Sequence, residues 1–169
     1  ILNALVAIYI YSIVPEFTLR FLSWILVHLM YRLKVKGTEN LPKDGAVILA
    51  CNHVSFVDWL IISGAIRRPT RFVMYYKFLE IPLLSYLMKQ ARVIPIAGRD
   101  ENPELLQRAY HRLAAELKEG EIVCIFPEGK ITSNGELSEF KPGILKIVEN
   151  NPVAVVPMAI NNLWGSMFS

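Results

Sequence analysis

A histidine and a carboxylate a few residues apart can act as a proton-transfer pair, and one such pair stands in Asn52-His53-Val54-Ser55-Phe56-Val57-Asp58. The imidazole would take a proton from a hydroxyl, while the carboxylate holds its other ring nitrogen and fixes the tautomer. The spacing restricts how the two can meet. In a regular helix, positions five apart lie about 140° around the axis, so two mid-helix residues would face apart. They meet if a strand ends near Asn52, His53 lies in the turn and Asp58 opens the next helix. Ser55-x-x-Asp58, directly ahead of Trp59-Leu60-Ile61-Ile62, is a capping-box pattern and supports that boundary. A plainer reading makes Asp58 only the capping acid and His53 only a polar loop residue. This stretch alone does not separate the two.

A second segment of reactive types, Phe126-Pro127-Glu128-Gly129-Lys130, follows the apolar run Ile122-Val123-Cys124-Ile125. Gly129 allows a tight turn that brings backbone N–H groups close to a ligand, and Lys130 adds a cation. It is not a P-loop, because Cys124 stands where the first glycine belongs and Ile131 follows the lysine. Taken alone, it also reads as a solvated surface turn.

The elements that must position these segments alternate. Short β-branched or apolar runs at residues 46–51, 71–75, 93–96, 121–126 and 153–160 predict strands, and Leu33-Lys34-Val35-Lys36 alternates like one. Helices are predicted at residues 55–66, 82–90 and 144–149. The clearest opens at Asn102-Pro103-Glu104, carries Leu106, Ala109, Tyr110, Leu113 and Leu117 on one face, and stops at Gly120. Strands alternating with helices predict an α/β fold, a mostly parallel central sheet with helices on both faces. In such sheets active groups gather at the carboxyl ends of the strands.

The chain of 169 residues, 53% hydrophobic, fits about one domain. Residues 1–14 are apolar apart from Asn3 and Ser12. As a helix they would be about 21 Å long, short of the ~30 Å hydrocarbon core. With residues 17–31 they predict a helical hairpin lying in one leaflet, with Tyr9, Tyr11, Trp24 and Tyr31 as interfacial anchors. The alternative is a hairpin buried in an ordinary core. The division expected is residues 1–32 as the membrane-associated hairpin and 33–169 as the α/β domain. The chain opens on Ile1, not Met, so upstream sequence is expected.

The net charge of +3 hides an asymmetry: residues 20–99 carry twelve Lys/Arg against four Asp/Glu, and residues 100–169 six against ten. A basic first half behind an apolar start points to an anionic membrane surface or phosphorylated substrates. No nucleic-acid-binding motif accompanies the charge. The three histidines are scattered without zinc spacing, so no metal is predicted. Cys51 and Cys124 sit in apolar runs and read as small buried hydrophobes.

His-x4-Asp after one strand, Phe-Pro-Glu-Gly after a later one, and Val156-Pro157 in the last strand together resemble the glycerolipid acyltransferase family. That family includes the 1-acylglycerol-3-phosphate and bacterial lysophospholipid acyltransferases, and the resemblance covers roughly residues 33–160. It implies His53 as general base and Asp58 as its orienter. It implies Phe126, Pro127, Glu128 and Gly129 as the acceptor-binding motif, with Lys130 on the acceptor phosphate. Asn52 and the backbone around Val156 and Pro157 are expected to support the site and its oxyanion. The family's second motif offers glycine, apolar residues, then arginine; here stands Arg92-Val93-Ile94-Pro95-Ile96-Ala97-Gly98-Arg99. Arg99 is the implied phosphate arginine, with Arg92 competing.

The implied reaction moves a fatty acyl group from acyl-CoA or acyl-carrier protein to the free hydroxyl of a lysophospholipid, with no further cofactor. The alternative is a 1-acylglycerol-3-phosphate acyltransferase making phosphatidic acid. Lys130-Ile131-Thr132, where the family often has Thr-Arg, resembles modules that bacteria fuse to transporter or acyl-ligase domains. The implied location is the cytoplasmic face of the inner membrane. Two other classes remain: a thiol or serine hydrolase using Cys51 or Ser55 with His53, though no Gly-x-Ser-x-Gly elbow is present, and a non-catalytic membrane-binding module.

Overall fold

The computed structural model describes residues 15–166, 168 and 169, together with positions 3, 5, 6 and 9. The first arm of the expected hairpin, residues 1–14, lies largely outside the described residues. The residues expected as its second arm fall in helix α1, Pro15–Met30. There follow β1 (Val47–Cys51), α2 (Asp58–Ala65), β2 (Thr70–Tyr75), α3 (Pro82–Gln90), β3 (Ile94–Ile96), α4 (Pro103–Lys118), β4 (Ile122–Ile125), α5 (Gly143–Asn150) and β5 (Ala154–Met158).

The five strands form one parallel sheet in the order β3-β2-β4-β1-β5. Because side chains alternate across a strand, the central strands feed two cores. Val47, Leu49 and Cys51 of β1 and Ile122 and Cys124 of β4 pack with Val27 of α1, Leu60 and Ile61 of α2 and Met88 of α3. Ile48, Val123 and Ile125 pack on the other face with Ala109, Leu113 and Leu117 of α4 and Ile147 of α5. The chain steps from β1 to β2 to β3 on the first face and returns from β3 through β4 to β5 on the second. Opposite directions on opposite faces is the pattern that right-handed crossovers require. The loops after adjacent β1 and β4 therefore leave on opposite faces, opening a crevice at their carboxyl ends.

Two sequence expectations change. Leu33-Lys34-Val35-Lys36 joins no strand; it alternates but has no partner, and alternation without a ladder does not make a sheet. The helix expected at residues 55–66 begins only at Asp58.

At the amino end of the sheet, Arg71 is 2% exposed. It holds Glu16 at 2.5 Å, Glu121 at 2.9 Å and Glu116 at 3.1 Å, tying α1 to β2, α4 and the start of β4. Arg92 joins this cluster through Glu116 at 3.1 Å and Glu119 at 3.3 Å. Val27 of α1 meets α2 at Gly64, where an added Cβ would lie 3.2 Å from the valine. Around the rest of its surface α1 exposes Phe17, Leu22, Trp24, Leu26 and Leu29. Among the described residues no helix is long and apolar enough to cross a membrane.

Removing the Arg71 guanidinium leaves buried Glu116 with only the more exposed Arg92 beside it and takes the nearest cation from Glu16; breaking a buried pair typically costs about 3–5 kcal/mol, and the remaining Arg92 contact puts the loss toward the lower end. R71M is expected to unfold at a clearly lower denaturant concentration with an unchanged slope. An unchanged midpoint would show the cluster to be dispensable.

Candidate active site

Strand β1 ends at Cys51, and the chain turns through residues 52–57 before α2. His53 and Asp58 meet there: Nδ1 of His53 lies 2.7 Å from Oδ2 of Asp58, with the histidine side chain 23% exposed and the aspartate fully buried. The same Oδ2 accepts the main-chain N–H of Val54 at 2.8 Å and of Ser55 at 3.0 Å. One oxygen thus takes three donors, while Oδ1 is buried without a hydrogen-bond partner among the described residues. The bond from Ser55 N–H is one half of the expected capping box. The other half is displaced, since Ser55 Oγ accepts from Val57 N–H at 3.3 Å and donates to the Phe168 carbonyl at 2.9 Å.

The loop after neighbouring β4 closes on this turn. Glu128 is 1% exposed. Its Oε1 accepts the main-chain N–H of His53 at 2.8 Å and its Oε2 that of Ser138 at 2.7 Å. Thr132 N–H in turn donates to the His53 carbonyl at 2.8 Å. Phe126 stacks on the imidazole with ring centres 4.1 Å apart and planes 18° from parallel. Nδ1 is bound and the ring plane is set, which leaves Nε2 as the nitrogen available to a substrate.

This geometry gives Glu128 a part other than the expected acceptor contact. Each of its oxygens accepts a main-chain N–H group, so it braces the histidine turn. Pro127 is buried and supports the turn through its carbonyl, which accepts from Lys141 N–H at 2.8 Å. Gly129 has φ +67°, the left-handed conformation that glycine accepts most readily. Lys130 is exposed beside it and makes no ion pair among the described residues.

The two arginines separate. Arg99 follows the carboxyl end of β3, on the same edge of the sheet as His53, and is exposed. Three strand spacings, about 14 Å, separate β3 from β1, so Arg99 does not follow a strand that neighbours the one carrying His53. Arg92 precedes β3, at the amino end, with φ +53° and its guanidinium held by Glu116 and Glu119. Its competition with Arg99 for a phosphate at the crevice is thereby removed.

Asn52 clips the far wall: its amide donates to the Ile160 carbonyl at 3.0 Å and accepts the Ile160 N–H at 2.7 Å. Val156 and Pro157 pair beside Leu49 and Ala50 of β1. Pro157 has no N–H to offer an oxyanion, and that of Ile160 is already committed. On the α1 face, Trp59 and Met74 line an apolar cavity of about 80 Å³ with Phe72, Leu84, Leu87 and Met88.

The site residues that sequence reasoning missed are Ser138, Thr132 and Lys141. The first two act through main-chain N–H groups, which no side-chain pattern reveals. Lys141 stands in Lys141-Pro142-Gly143, a turn signal with nothing to tie it to Gly129. Cys51 is unsuited to nucleophilic attack: burial, then the nearby Asp58 charge, pushes its thiol up to about 12. At pH 8 such a thiol is ionised in about one molecule in 10⁴.

The family model described as Acyltransferase matches residues 32–161. The chain belongs to the acyltransferase family. It is 31% identical over 153 residues to the 1-acyl-sn-glycerol-3-phosphate acyltransferase of Pseudomonas aeruginosa, covering 89% of this chain and 58% of that one. It is 28% identical over 137 residues to a chloroplastic 1-acyl-sn-glycerol-3-phosphate acyltransferase of Arabidopsis thaliana, covering 80% and 38%. The crystal structure of the 1-acyl-sn-glycerophosphate acyltransferase from Thermotoga maritima superposes with a TM-score of 0.64 at 25% identity, over 79% of this chain and 51% of that one. The chain thus spans from 38% to 58% of the length of these acyltransferases.

Two measurements check the site. Glu128→Gln replaces one acceptor oxygen with a donor facing an N–H group, and is expected to cost about 1–3 kcal/mol of stability in urea unfolding; full stability would remove the bracing role. Iodoacetamide at pH 8 is expected to modify neither Cys51 nor Cys124 in the native protein and both in denaturant, as their burial requires. Rapid native labelling of Cys51 would reopen a thiol mechanism.

Proposed function

We propose that this acyltransferase-family chain moves a fatty acyl group from a thioester donor, acyl-CoA or acyl-carrier protein, to the free hydroxyl of a lysophospholipid. The observation that carries the reading is the 2.7 Å contact between His53 Nδ1 and buried Asp58, in a crevice shared with the Phe126–Lys130 loop. Nε2 of His53 takes the hydroxyl proton as the acceptor oxygen attacks the thioester carbonyl carbon. The C–O bond forms, the carbonyl becomes an oxyanion, and collapse breaks the C–S bond. The departing thiolate takes the proton back from His53. No acyl-enzyme is needed. Asp58 keeps its charge throughout and offsets that of the transient imidazolium.

The names of the relatives favour 1-acyl-sn-glycerol 3-phosphate, a phosphate monoester, as acceptor. Lys130-Ile131, in place of the family's frequent Thr-Arg, favours a second reading in which diester lysophospholipids are taken. In either case the exposed apolar side of α1, followed by Arg32, Lys34 and Lys36, suits docking on an anionic bilayer surface from one side.

General-base assistance contributes about 10²–10⁴-fold. His53→Ala is therefore expected to lower acyl transfer by at least that factor, while far-UV circular dichroism and vesicle binding stay unchanged. Mass spectrometry of each donor against lysophosphatidate, lysophosphatidylethanolamine and lysophosphatidylglycerol separates the two acceptor readings. Near-normal turnover by the alanine variant would end the His53 mechanism.

A further inference from the structure

The turn at Gly129 is shaped around another residue. Besides its positive φ, a Cβ placed there would lie 3.1 Å from Cγ and 3.7 Å from Cε of Lys141. The lysine stem therefore runs along the space that a side chain at 129 would fill. The main chain fixes the approach, since Lys141 N–H donates to the Pro127 carbonyl at 2.8 Å. Nζ lies one bond, about 1.5 Å, beyond Cε, so the ammonium is carried alongside the Glu128-Gly129-Lys130 turn. Lys141 makes no ion pair among the described residues, and the carboxylate of Glu128 faces the main-chain N–H groups of His53 and Ser138 instead. Lys130, also unpaired, is the next residue along the turn. Two free cations thus flank a turn whose buried acid holds the base.

We propose that Lys141 binds the phosphate of the acceptor and sets the preference for phosphorylated acceptors, and that position 129 is glycine so that the Lys141 stem can pass. This rests on the acyl-transfer reading above. A charge-assisted contact of this kind recognises phosphate as a point charge. It would hold the acceptor's headgroup beside the turn, with the free hydroxyl toward Nε2.

Steady-state transfer is measured for the wild type, K141M, K141R, G129A, K141A and G129A/K141A. The acceptors are lysophosphatidate and monoacylglycerol, which lacks phosphate. K141M keeps the stem and loses the charge. It is expected to raise KM for lysophosphatidate by about 10–100-fold, the size of a lost charged hydrogen bond, with kcat within about threefold and K141R restoring most of the loss. Monoacylglycerol kinetics stay unchanged, or monoacylglycerol is not used at all. G129A is expected to cost more with Lys141 present than in the K141A background, a coupling that a double-mutant cycle reads directly. An unchanged KM in K141M, or an equal loss on monoacylglycerol, overturns the proposal while leaving acyl transfer intact. Additive G129A and K141A effects overturn the link between the two positions. A wild type that acylates neither acceptor overturns this inference, and the acyl-transfer reading falls with it only where lysophosphatidylethanolamine and lysophosphatidylglycerol are also left unacylated.

Discussion

Two carboxylates, Asp58 and Glu128, are removed from water almost completely, and a buried charge must be met by hydrogen bonds or paired. Here the donors come from one short turn. Asp58 takes the N–H groups of Val54 and Ser55 with the imidazole, and Glu128 takes the N–H of His53. Three successive main-chain donors are thus consumed by two acids from different elements. The turn cannot adopt another conformation without stranding a buried charge, so solvating these acids and placing the imidazole are one event. The idle Oδ1 of Asp58 is tolerated because its partner oxygen already holds three donors.

The topology makes this meeting possible. Sequence neighbours would not bring residues 53 and 128 together; adjacency of β1 and β4 does, in register from Val47 opposite Ile122 to Ala50 opposite Ile125. The two strands end level, and their exits go to opposite faces. Glu128 then reaches across one strand spacing to the histidine turn. Asn52 does the same in the other direction, locking Ile160 beyond β5. The turn carrying His53 is therefore held from both neighbouring strands, while Phe126 fixes the plane of the ring. An imidazole held this way needs no movement of its own to serve as the proposed base, and pre-set geometry is what lowers a barrier.

How much of this was readable from the residues differs by range. The pairing of His53 with Asp58 is local, decided by where a strand stops and a helix starts, and Ser55-x-x-Asp58 marks that place. The alternating strand and helix signals likewise carried the α/β fold, because each depends on a short window. Glu128 was legible as a reactive residue but not in its part, since its partners are main-chain N–H groups 75 and 10 residues away. Arg92 was legible as a cation but not as a left-handed residue pinned by Glu116. Leu33-Lys34-Val35-Lys36 has the period of a strand and lacks only a neighbour, which sequence periodicity cannot supply.

The charge asymmetry along the chain changes meaning once folded. Of the basic residues that made the first half look like one cationic field, Arg71 and Arg92 are consumed by carboxylates at the amino end of the sheet. Arg68 spends its guanidinium on the carbonyls of Pro42, Gly45 and Gly120, and Arg20 on those of Ile66 and Arg67. These are internal fasteners, and the acids that pair with Arg71 and Arg92 come largely from the acidic second half. Among the described residues, cations without carboxylate partners include Arg32, Lys34 and Lys36, just past α1, and Lys130 and Lys141, on and beside the turn after β4, besides others such as Lys43, Arg67 and Lys89 elsewhere on the surface. Folding thus divides a diffuse positive bias into a neutralised framework and unspent charge, part of which stands where the proposed anionic surface and headgroup would arrive. That sorting is why the basic character bears on ligands even though so many of its residues serve the fold.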